Sequence, residues 1–423
     1  MSGPDGAAGG ERAAAPLVPG CAGQGYGDGD LAARRAWVEG RTGARLTHVG
    51  RCSLAGEAMR GSVENAIGAA QVPLGVAGPL AVEGEHAHGI FYVPLATTEG
   101  VLVRSYERGM TALTRAGGAA VRLWADENRV APVFRFADVA AARRFCGELD
   151  ALLPELRAAA EATTRHGRLL RLEPRPLGRA VMVNFCWSTG DAHGMNMIAK
   201  ATESACQLLV ARGVVERYTL WSGMDSEKRA SGALLAGGKG KQAVAGCRLP
   251  ARLLRAYLHT TPGEMHELWQ DTVLGHLQAG AIGYNGHFAN GLAALFIACG
   301  QDVANVANSA VGVTHFEVTP DGDLYASVTL PSLTVATVGG GTGRGTAREC
   351  LEMLGCAGDG GAPKLAEIAA ATLLAGELSM GAALASGEFV AAHEAYGRNR
   401  PEPGRGAGPM EPTSKANEGE PGE

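Results

Sequence analysis

Residues 168–213 read RLLRLEPRPLGRAVMVNFCWSTGDAHGMNMIAKATESACQLLVARG. The apolar residues in the first part predict two strands, 168–175 and 180–187. After the loop STGDAHG the apolar spacing becomes that of a helix, which we expect over 194–213. Strands that alternate with helices in this way favour an α/β or α+β fold.

The flanking sequence continues the alternation. It predicts a helix over 31–43, a strand over 88–95, a helix over 98–116, one or two helices over 137–164, a buried helix over 287–299, a strand over 322–330 and one or two helices over 364–393. We expect the helix at 98–116 to begin through Thr97 or Thr98, with Glu99 in its first turn. Pro154 predicts a break in the helix at 137–164, and Gly376 or Gly381 a break in the last one.

Composition excludes several classes of protein. The chain has 423 residues, enough for two or three domains, and a formal net charge of −5, which argues against a nucleic-acid-binding protein. The nine cysteines include no CxxC pair, so we expect reduced thiols in the cytoplasm and no zinc ribbon. No apolar stretch approaches the roughly 20 residues that a membrane span needs. Residues 1–30 have little periodic apolar content and residues 400–423 contain no Ile, Leu, Val or aromatic residue, so both ends are expected to be disordered.

Isolated motifs leave their function open. The stretch 238–243 (GKGKQA) matches a dinucleotide fingerprint only weakly, because no clear strand precedes it, and the chain contains no P-loop and no HExxH. The Gly-rich stretch 338–345 is either a flexible connection or a cradle for an anion or dinucleotide. Taken alone, Asp302 fits a cap or an acid of raised pKa, Lys228 a solvated loop, and His393 a helix cap.

Together these segments resemble the 3-hydroxy-3-methylglutaryl-CoA reductase family, in its eukaryotic-type branch but without that branch's membrane segment. The resemblance covers about residues 35–400. The matching segments follow the family's order: 64–80, 94–100 (PLATTEG), 190–197 (GDAHGMNM), 222–229 (SGMDSEKR), 285–302 ending in ACGQD, 331–345, and 373–393 containing AGELS.

The resemblance implies a double reduction of a thioester by hydride from a nicotinamide cofactor. Lys228 would stabilise the developing oxyanion, Glu99 would donate a proton, and Asp302 would tune this pair. His393 would protonate the departing CoA thiolate. Positions implied to contact the substrate are Arg108, Ser222, Arg229 and Asn290. Positions implied to contact the cofactor are Asp191, Met195, Asn196, Gly339, Gly340, Gly341 and Arg398.

The implied cofactor is NADPH, since a guanidinium at Arg398 suits a 2′-phosphate, and no metal is implied. The implied architecture is a large mixed domain with an inserted, ferredoxin-like nucleotide domain that is not a Rossmann fold. Its expected parts are a tail over 1–30, a helical segment over 31–63, a large domain over 64–108 and 230–395, an inserted domain over 109–220, a lysine loop over 221–229 and a tail over 396–423. The family's active site lies between subunits, so we expect a dimer or tetramer.

One departure concerns the substrate. Asp271 stands where the family pattern has a lysine that binds the free carboxylate of the substrate. This reversal of charge keeps open a reductase of another acyl-CoA thioester, besides a reductase of 3-hydroxy-3-methylglutaryl-CoA. A non-catalytic CoA-binding paralogue is disfavoured, because Glu99, Lys228, Asp302 and His393 are all present.

Overall fold

The computed structural model describes residues 17–19 and 25–396, and within them the mixed α/β class is confirmed. Ten strands form a single sheet: β1 (Leu74–Glu83), β2 (His88–Ala96), β3 (Ala119–Val130), β4 (Val133–Arg135), β5 (Arg168–Leu177), β6 (Ala180–Ser188), β7 (Tyr218–Thr219), β8 (Gly240–Leu249), β9 (Val313–Val318) and β10 (Leu324–Leu333).

The helices are α1 (Asp28–Thr42), α2 (Leu102–Arg115), α3 (Val139–Glu161), α4 (Met195–Ala211), α5 (Ala251–Leu253), α6 (Pro262–Ala279), α7 (Phe288–Ala298), α8 (Val306–Ser309), α9 (Gly345–Met353), α10 (Gly361–Ala385) and α11 (Phe389–Tyr396). Short 3₁₀ turns cover Gly56–Met59, Gly232–Ala236 and Val303–Asn305, and a π-turn covers Leu254–Leu258.

Strand β3 joins the two halves of the sheet. The strand order is β7-β4-β6-β3-β8-β10-β9, with β1 beside β3 and β2, and β5 beside β6. The first part of β3, residues 120–127, pairs with β8, and its last part, residues 128–130, pairs with β6. Among the described strand pairs only β1 and β3 run parallel. One strand therefore belongs to both halves, which fixes how the halves meet.

The halves have separate hydrophobic cores. The larger core contains residues of β1, β2, α2, β8, β10 and α10, and it includes Met110, Ala112, Leu113, Ala119 and Val121. The smaller core begins at Val130 and packs α3 and α4 against β4, β5 and β6. The division of the chain expected at residue 109 stays a prediction, although the residues just after it pack into the larger core.

Helix α10 is the central element of the larger core. Within the described residues it is the one helix long and apolar enough to cross a membrane by length and composition, but 83% of that stretch is buried inside the structure. The break predicted at Gly376 or Gly381 is wrong, because α10 runs through both. A Cβ at Gly376 would come within 2.5 Å of the Tyr106 ring, so this glycine serves close packing and does not interrupt the helix.

Two other predicted helix boundaries are also wrong. Helix α3 continues through Pro154, whose ring is exposed, so that water can reach the backbone carbonyl that lacks a partner. Helix α2 begins at Leu102, after Val101 in the left-handed conformation with φ of 73°. Glu99 thus precedes α2, and its N–H donates to the Thr97 hydroxyl in a local turn.

The N-terminal prediction of disorder is wrong for residues 25–30. Tyr26 is buried and its hydroxyl donates to the carbonyl of Val63, and α1 already begins at Asp28. Tyr26 packs with Leu31 and Met59 in a third, small cluster. The other residues for which a tail was expected lie almost wholly outside the described residues.

A carboxylate of α10 holds the turn between β1 and β2. Glu367 is fully buried and accepts hydrogen bonds from the backbone N–H groups of Glu85, His86 and Ala87 at 3.1, 2.9 and 2.6 Å. The side chains of Glu85, His86 and Glu367 also lie within 4.8 Å of one another, close enough to be considered as a metal site. The three amide donors account for the position of the carboxylate without a metal.

We expect Glu367→Ala to lower the free energy of unfolding by about 1–3 kcal/mol, because the variant leaves the buried N–H of Ala87 without a partner, whereas water can reach the N–H groups of Glu85 and His86. Urea titration at one fixed protein concentration measures this loss. The control is Glu352→Ala, which removes an exposed ion pair with Arg348 and should cost less than about 1 kcal/mol. Equal, small losses in both variants would contradict the role assigned to Glu367.

Candidate active site

A cavity of about 620 Å³ lies between α2 and α10. Three residues implied by the sequence line it together: Glu99, Arg108 and Asn290. They come from the loop before α2, from α2 itself and from the first turn of α7. The fold therefore brings residues up to 191 positions apart in sequence into one cavity.

Glu99 is held at the mouth of this cavity. The side-chain amide of Asn290 donates to Glu99 Oε2 at 2.8 Å, and the Glu99 side chain is otherwise exposed. The N–H of Thr97 donates to the carbonyl of Pro73, which ties the preceding loop to the start of β1. The carboxyl group is thus fixed in direction and open to a substrate in the cavity.

Arg108 is held by the end of α10. Its guanidinium donates to the hydroxyl and the carbonyl oxygen of Ser379, at 3.1 and 2.6 Å, and lies 3.5 Å from a carboxylate oxygen of Glu388. Phe389, the first residue of α11, also lines the cavity. His393 is four residues further along α11, and its side chain is outside what the structure describes.

Two residues that line the cavity, Tyr106 and His287, belong to a polar group that the sequence analysis did not predict. The hydroxyl of Tyr106 is hydrogen-bonded to Nδ1 of His287 at 3.2 Å, and Glu377 Oε1 lies 3.7 Å from the same nitrogen. Burial, and then the charges of Glu377 and Glu99, raise the pKa of Tyr106 well above its usual value. Glu377 is the feature of the sequence from which this group could have been found. It is the one charged residue in the apolar stretch 368–385, and a buried carboxylate usually has hydrogen-bond partners.

Lys228 and Asp302 form an ion pair. Lys228 Nζ lies 2.7 Å from Asp302 Oδ2, and both side chains are 44% exposed. The hydrogen bond with Asp302 raises the pKa of Lys228. The other carboxylate oxygen of Asp302 accepts from the N–H of Ala304, so Asp302 caps the turn at 303–305. Neither residue lines the 620 Å³ cavity.

Glu227, next to Lys228, points into the protein. Its carboxylate contacts the ammonium of Lys239, and its Oε1 lies 3.5 Å from His193 Nε2. Burial tends to raise the pKa of Glu227, but the contacts with His193 and Lys239 outweigh it and hold that pKa at about 2. Burial lowers the pKa of Lys239, against the charge of Glu227. The sequence analysis did not predict this pair, since Lys239 lies between two glycines in an apparent loop.

The remaining residues that the resemblance implies on the substrate side, Ser222 and Arg229, do not line the cavity, and neither does Asp271. The hydroxyl of Ser222 donates to the carbonyl of Ala131 at 2.7 Å, which anchors the start of the lysine loop, residues 221–229. Arg229 is exposed at the end of that loop. Asp271 is exposed on α6 and does not line the cavity.

The cofactor-side residues meet at one edge. The N–H groups of Thr337 and Val338 donate to the backbone carbonyl of Asp191, which brings the loop before α4 beside the Gly-rich loop. Gly339 and Gly340 are exposed, have positive φ, and have open space where a Cβ would be. Gly341, by contrast, packs against Gly300. Arg398 lies outside the described residues.

The N-termini of α10 and α4 lie at this edge, and they differ in whether a side chain caps them. The Asp191 carboxylate accepts from the N–H groups of Gly360 and Ala362, so it caps α10 and is already occupied. Helix α4 begins at Met195 and Asn196 after Gly194, with no side-chain cap. Its first N–H groups are therefore available to an anion such as a dinucleotide phosphate.

Comparisons of the sequence with a family model and with known proteins all point to the same family. Residues 30–398 match the family model described as hydroxymethylglutaryl-coenzyme A reductase. The 3-hydroxy-3-methylglutaryl-coenzyme A reductase of Methanothermobacter thermautotrophicus is 43% identical over 368 residues, covering 86% of this chain and 92% of the relative. The enzyme of the same name from Methanocaldococcus jannaschii is 43% identical over 373 residues, with the same coverage.

A solved structure is similar in fold. The 3-hydroxy-3-methylglutaryl-coenzyme A reductase of Streptococcus pneumoniae superposes with a TM-score of 0.63 at 19% identity, covering 76% of this chain and 87% of that one. At this identity the likeness concerns the fold alone. Both relatives named above are archaeal, and the eukaryotic-type branch stays a prediction.

We expect Asp302→Asn to lower the pKa of Lys228, because the variant removes the carboxylate that stabilises the ammonium form. The pH dependence of Lys228 acetylation, followed by mass spectrometry of its peptide, should then reach half-maximal rate at a lower pH. The acetylation profile of Lys200, an exposed lysine on α4, serves as the internal control. An unchanged profile for Lys228 would show that Asp302 does not govern its charge.

Proposed function

Because the chain belongs to the hydroxymethylglutaryl-coenzyme A reductase family, we propose that it reduces 3-hydroxy-3-methylglutaryl-CoA to mevalonate and free CoA with two equivalents of NADPH, in isoprenoid biosynthesis. The observation that carries the proposal is the convergence of Glu99, Asn290 and Arg108 on one cavity, with the Lys228–Asp302 pair intact. The division of roles among these residues is part of the same proposal.

The cavity is proposed to take the CoA thioester. Its volume of about 620 Å³ lies in the usual range for small-molecule sites, about 300–1,000 Å³. Arg108 supplies a cation at one side, and Tyr257 and Phe389 supply aromatic surface. Such a lining suits a ligand that is partly apolar and carries anionic groups.

In the proposed chemistry the chain's own groups handle charge and protons. Lys228 stabilises the oxygen that becomes negative as each carbonyl is reduced, and Asp302 keeps Lys228 protonated. Glu99, oriented by Asn290, delivers a proton to the oxygen. His393 protonates the departing thiolate, which leaves readily because a free thiol has a pKa of about 8.5.

The dinucleotide side is supported by residues that fit the ligand. The uncapped start of α4 and the open Gly339–Gly340 backbone are where a phosphate group would be bound. NADPH supplies the hydride when bound. Asp191 acts in this arrangement by fixing α10 beside the site, and Arg398 is proposed to select the 2′-phosphate.

Self-association is a further part of the proposal. The outer face of the β1–β2 hairpin exposes Leu74, Val76, Ile90 and Tyr92, each about half accessible. Contiguous apolar surface of this kind is typical of a protein–protein interface. A dimer or tetramer in the cytoplasm, with sites completed between subunits, would cover such a face and bring further groups to the cavity.

A different acyl-CoA remains as a second candidate because of Asp271. Its carboxylate is exposed on α6, where a neighbouring subunit could approach. A negative charge beside a substrate carboxylate would oppose binding, whereas a substrate without that carboxylate would not be affected.

The first experiment measures NADPH oxidation by the purified protein with 3-hydroxy-3-methylglutaryl-CoA, together with a thiol assay for released CoA. Two NADPH consumed for each CoA released are expected of a four-electron reduction. Absence of oxidation by a folded protein that binds NADPH would contradict the proposed substrate.

We expect Lys228→Met to lower kcat by about 100–1,000-fold or more, because removal of one group that stabilises an oxyanion costs that much in other enzymes. Circular dichroism should stay unchanged, since Lys228 is partly exposed and its pair with Asp302 contributes little to stability. The matched control is Lys200→Met on the exposed side of α4. A variant that keeps a substantial rate would remove Lys228 from the mechanism.

We expect Asp271→Lys to lower KM for 3-hydroxy-3-methylglutaryl-CoA severalfold, since a cation would replace an anion near the free carboxylate. Asp150→Lys, a charge reversal at an exposed site on α3, controls for the change in net charge. An unchanged or higher KM in the Asp271 variant would mean that this residue does not face the carboxylate, and would favour another substrate.

A further inference from the structure

Lys239 is a buried cation that touches two separate segments. Its side chain is 1% exposed, its ammonium contacts Glu227, and it lies 3.2 Å from Met195 Sδ. Glu227 belongs to the lysine loop, whereas Met195 belongs to the 190–196 segment, which enters α4. One ammonium group therefore bridges the lysine loop and the segment assigned to the dinucleotide.

His193 makes the same connection from the other side. Its Nε2 lies 3.5 Å from Glu227 Oε1, and its backbone carbonyl accepts a hydrogen bond from Asn128 at 2.9 Å. The two oxygens of Glu227 are thus directed at two groups, His193 and Lys239, and Lys239 in turn touches Met195. A shift of the 190–196 segment would change both contacts.

The backbone conformation around Glu227 determines the direction in which the Lys228 side chain points. Ser226 and Lys228 have φ of 57° and 55°, in the left-handed region, on either side of Glu227. Such conformations are unfavourable for residues other than glycine and persist where the surroundings determine them. The N–H of Glu227 also donates to Asp225 Oδ1 at 2.9 Å. With Glu227 anchored inward, the Lys228 side chain is turned outward to Asp302.

We propose that the buried Glu227–Lys239 pair is a positioning device for Lys228, and that it couples Lys228 to dinucleotide bound at the 190–196 segment. Glu227 and Lys239 are positioning residues, because they act through Lys228. The coupling part rests on the proposed function, which identifies the dinucleotide as NADPH.

A contribution to folding stability does not by itself explain why the Glu227–Lys239 ion pair is buried. Buried ion pairs can often be replaced by apolar residues of similar volume without loss of stability, because desolvation offsets the attraction between the charges. What an apolar pair cannot supply is a fixed direction between two specific groups. The bridging position of Lys239 therefore favours a role in placing the lysine loop.

The variants are Lys239→Met and the double variant Glu227→Gln/Lys239→Met, which leaves no unpaired charge. The chain offers a matched control in Lys241→Met. Lys241 is also buried and lies two residues further along, but its ion pair is with Asp126 at 3.0 Å, outside both segments. Each protein is first checked for folding by circular dichroism and thermal melting.

Two readouts follow. The first is the acetylation rate of Lys228, measured by mass spectrometry with and without NADPH, which needs no turnover. The second is kcat and KM with 3-hydroxy-3-methylglutaryl-CoA. In the wild type we expect NADPH to change Lys228 acetylation at least threefold. In both variants we expect faster acetylation that no longer responds to NADPH, and a kcat at least tenfold lower with KM within threefold.

The control variant should match the wild type in both readouts. A folded Lys239→Met protein with wild-type acetylation and kcat would overturn the inference, and so would a Lys241→Met protein that loses as much as Lys239→Met. If Lys239→Met does not fold, the double variant Glu227→Gln/Lys239→Met is tested in its place. Wild-type acetylation of Lys228 and a wild-type kcat in that variant would overturn the inference.

The inference and the proposed reaction fail in different ways. If the wild type turns over no substrate but Lys228 acetylation responds as expected, the reaction is wrong and the positioning role stands. If turnover is normal and acetylation is unaffected by NADPH and by the variants, the positioning role is wrong and the reaction stands.

Discussion

Two carboxylates, Glu367 and Glu377, lie on the apolar helix α10 and are buried in the core. A buried carboxylate is costly unless hydrogen bonds replace its lost hydration. The donors lie far away in sequence. Glu367 accepts from backbone N–H groups of the β1–β2 turn. Glu377 accepts from the N–H groups of Gly286 and His287, at 2.7 and 2.8 Å, and from the hydroxyl of Thr314 at 2.7 Å. These hydrogen bonds tie the β1–β2 turn and the segment before α7 to α10, which makes α10 the reference element of the larger half.

The candidate site depends on the same helix. The segment held by Glu377 leads directly into α7, which presents Asn290 to Glu99. Ser379, two residues further along α10, holds Arg108 in the cavity. At the other end of α10, Asp191 binds the helix N-terminus and so fixes the 190–196 segment. The substrate side and the dinucleotide side are therefore located relative to one rigid element, 25 residues long.

The lysine loop combines two ion pairs in different environments. Glu227–Lys239 is buried and faces the protein, whereas Lys228–Asp302 is nearly half exposed and faces outward. Electrostatic interactions are strong where water is excluded and weak where it screens them. The inner pair is accordingly suited to hold the loop, and the outer pair is free to respond to a substrate. The outer pair does not line the 620 Å³ cavity.

The sequence by itself predicted the α/β class, most elements and the residues that converge on the cavity, because apolar periodicity and long motifs are local features. Helix boundaries at Glu99, Pro154 and Gly376 were wrong, since capping and close packing there depend on distant partners. The Tyr106–His287–Glu377 and Glu227–Lys239 groups were not predicted. Whether a charged side chain is buried, and what it meets, is decided by contacts between segments far apart in the chain, and only the tertiary structure supplies them.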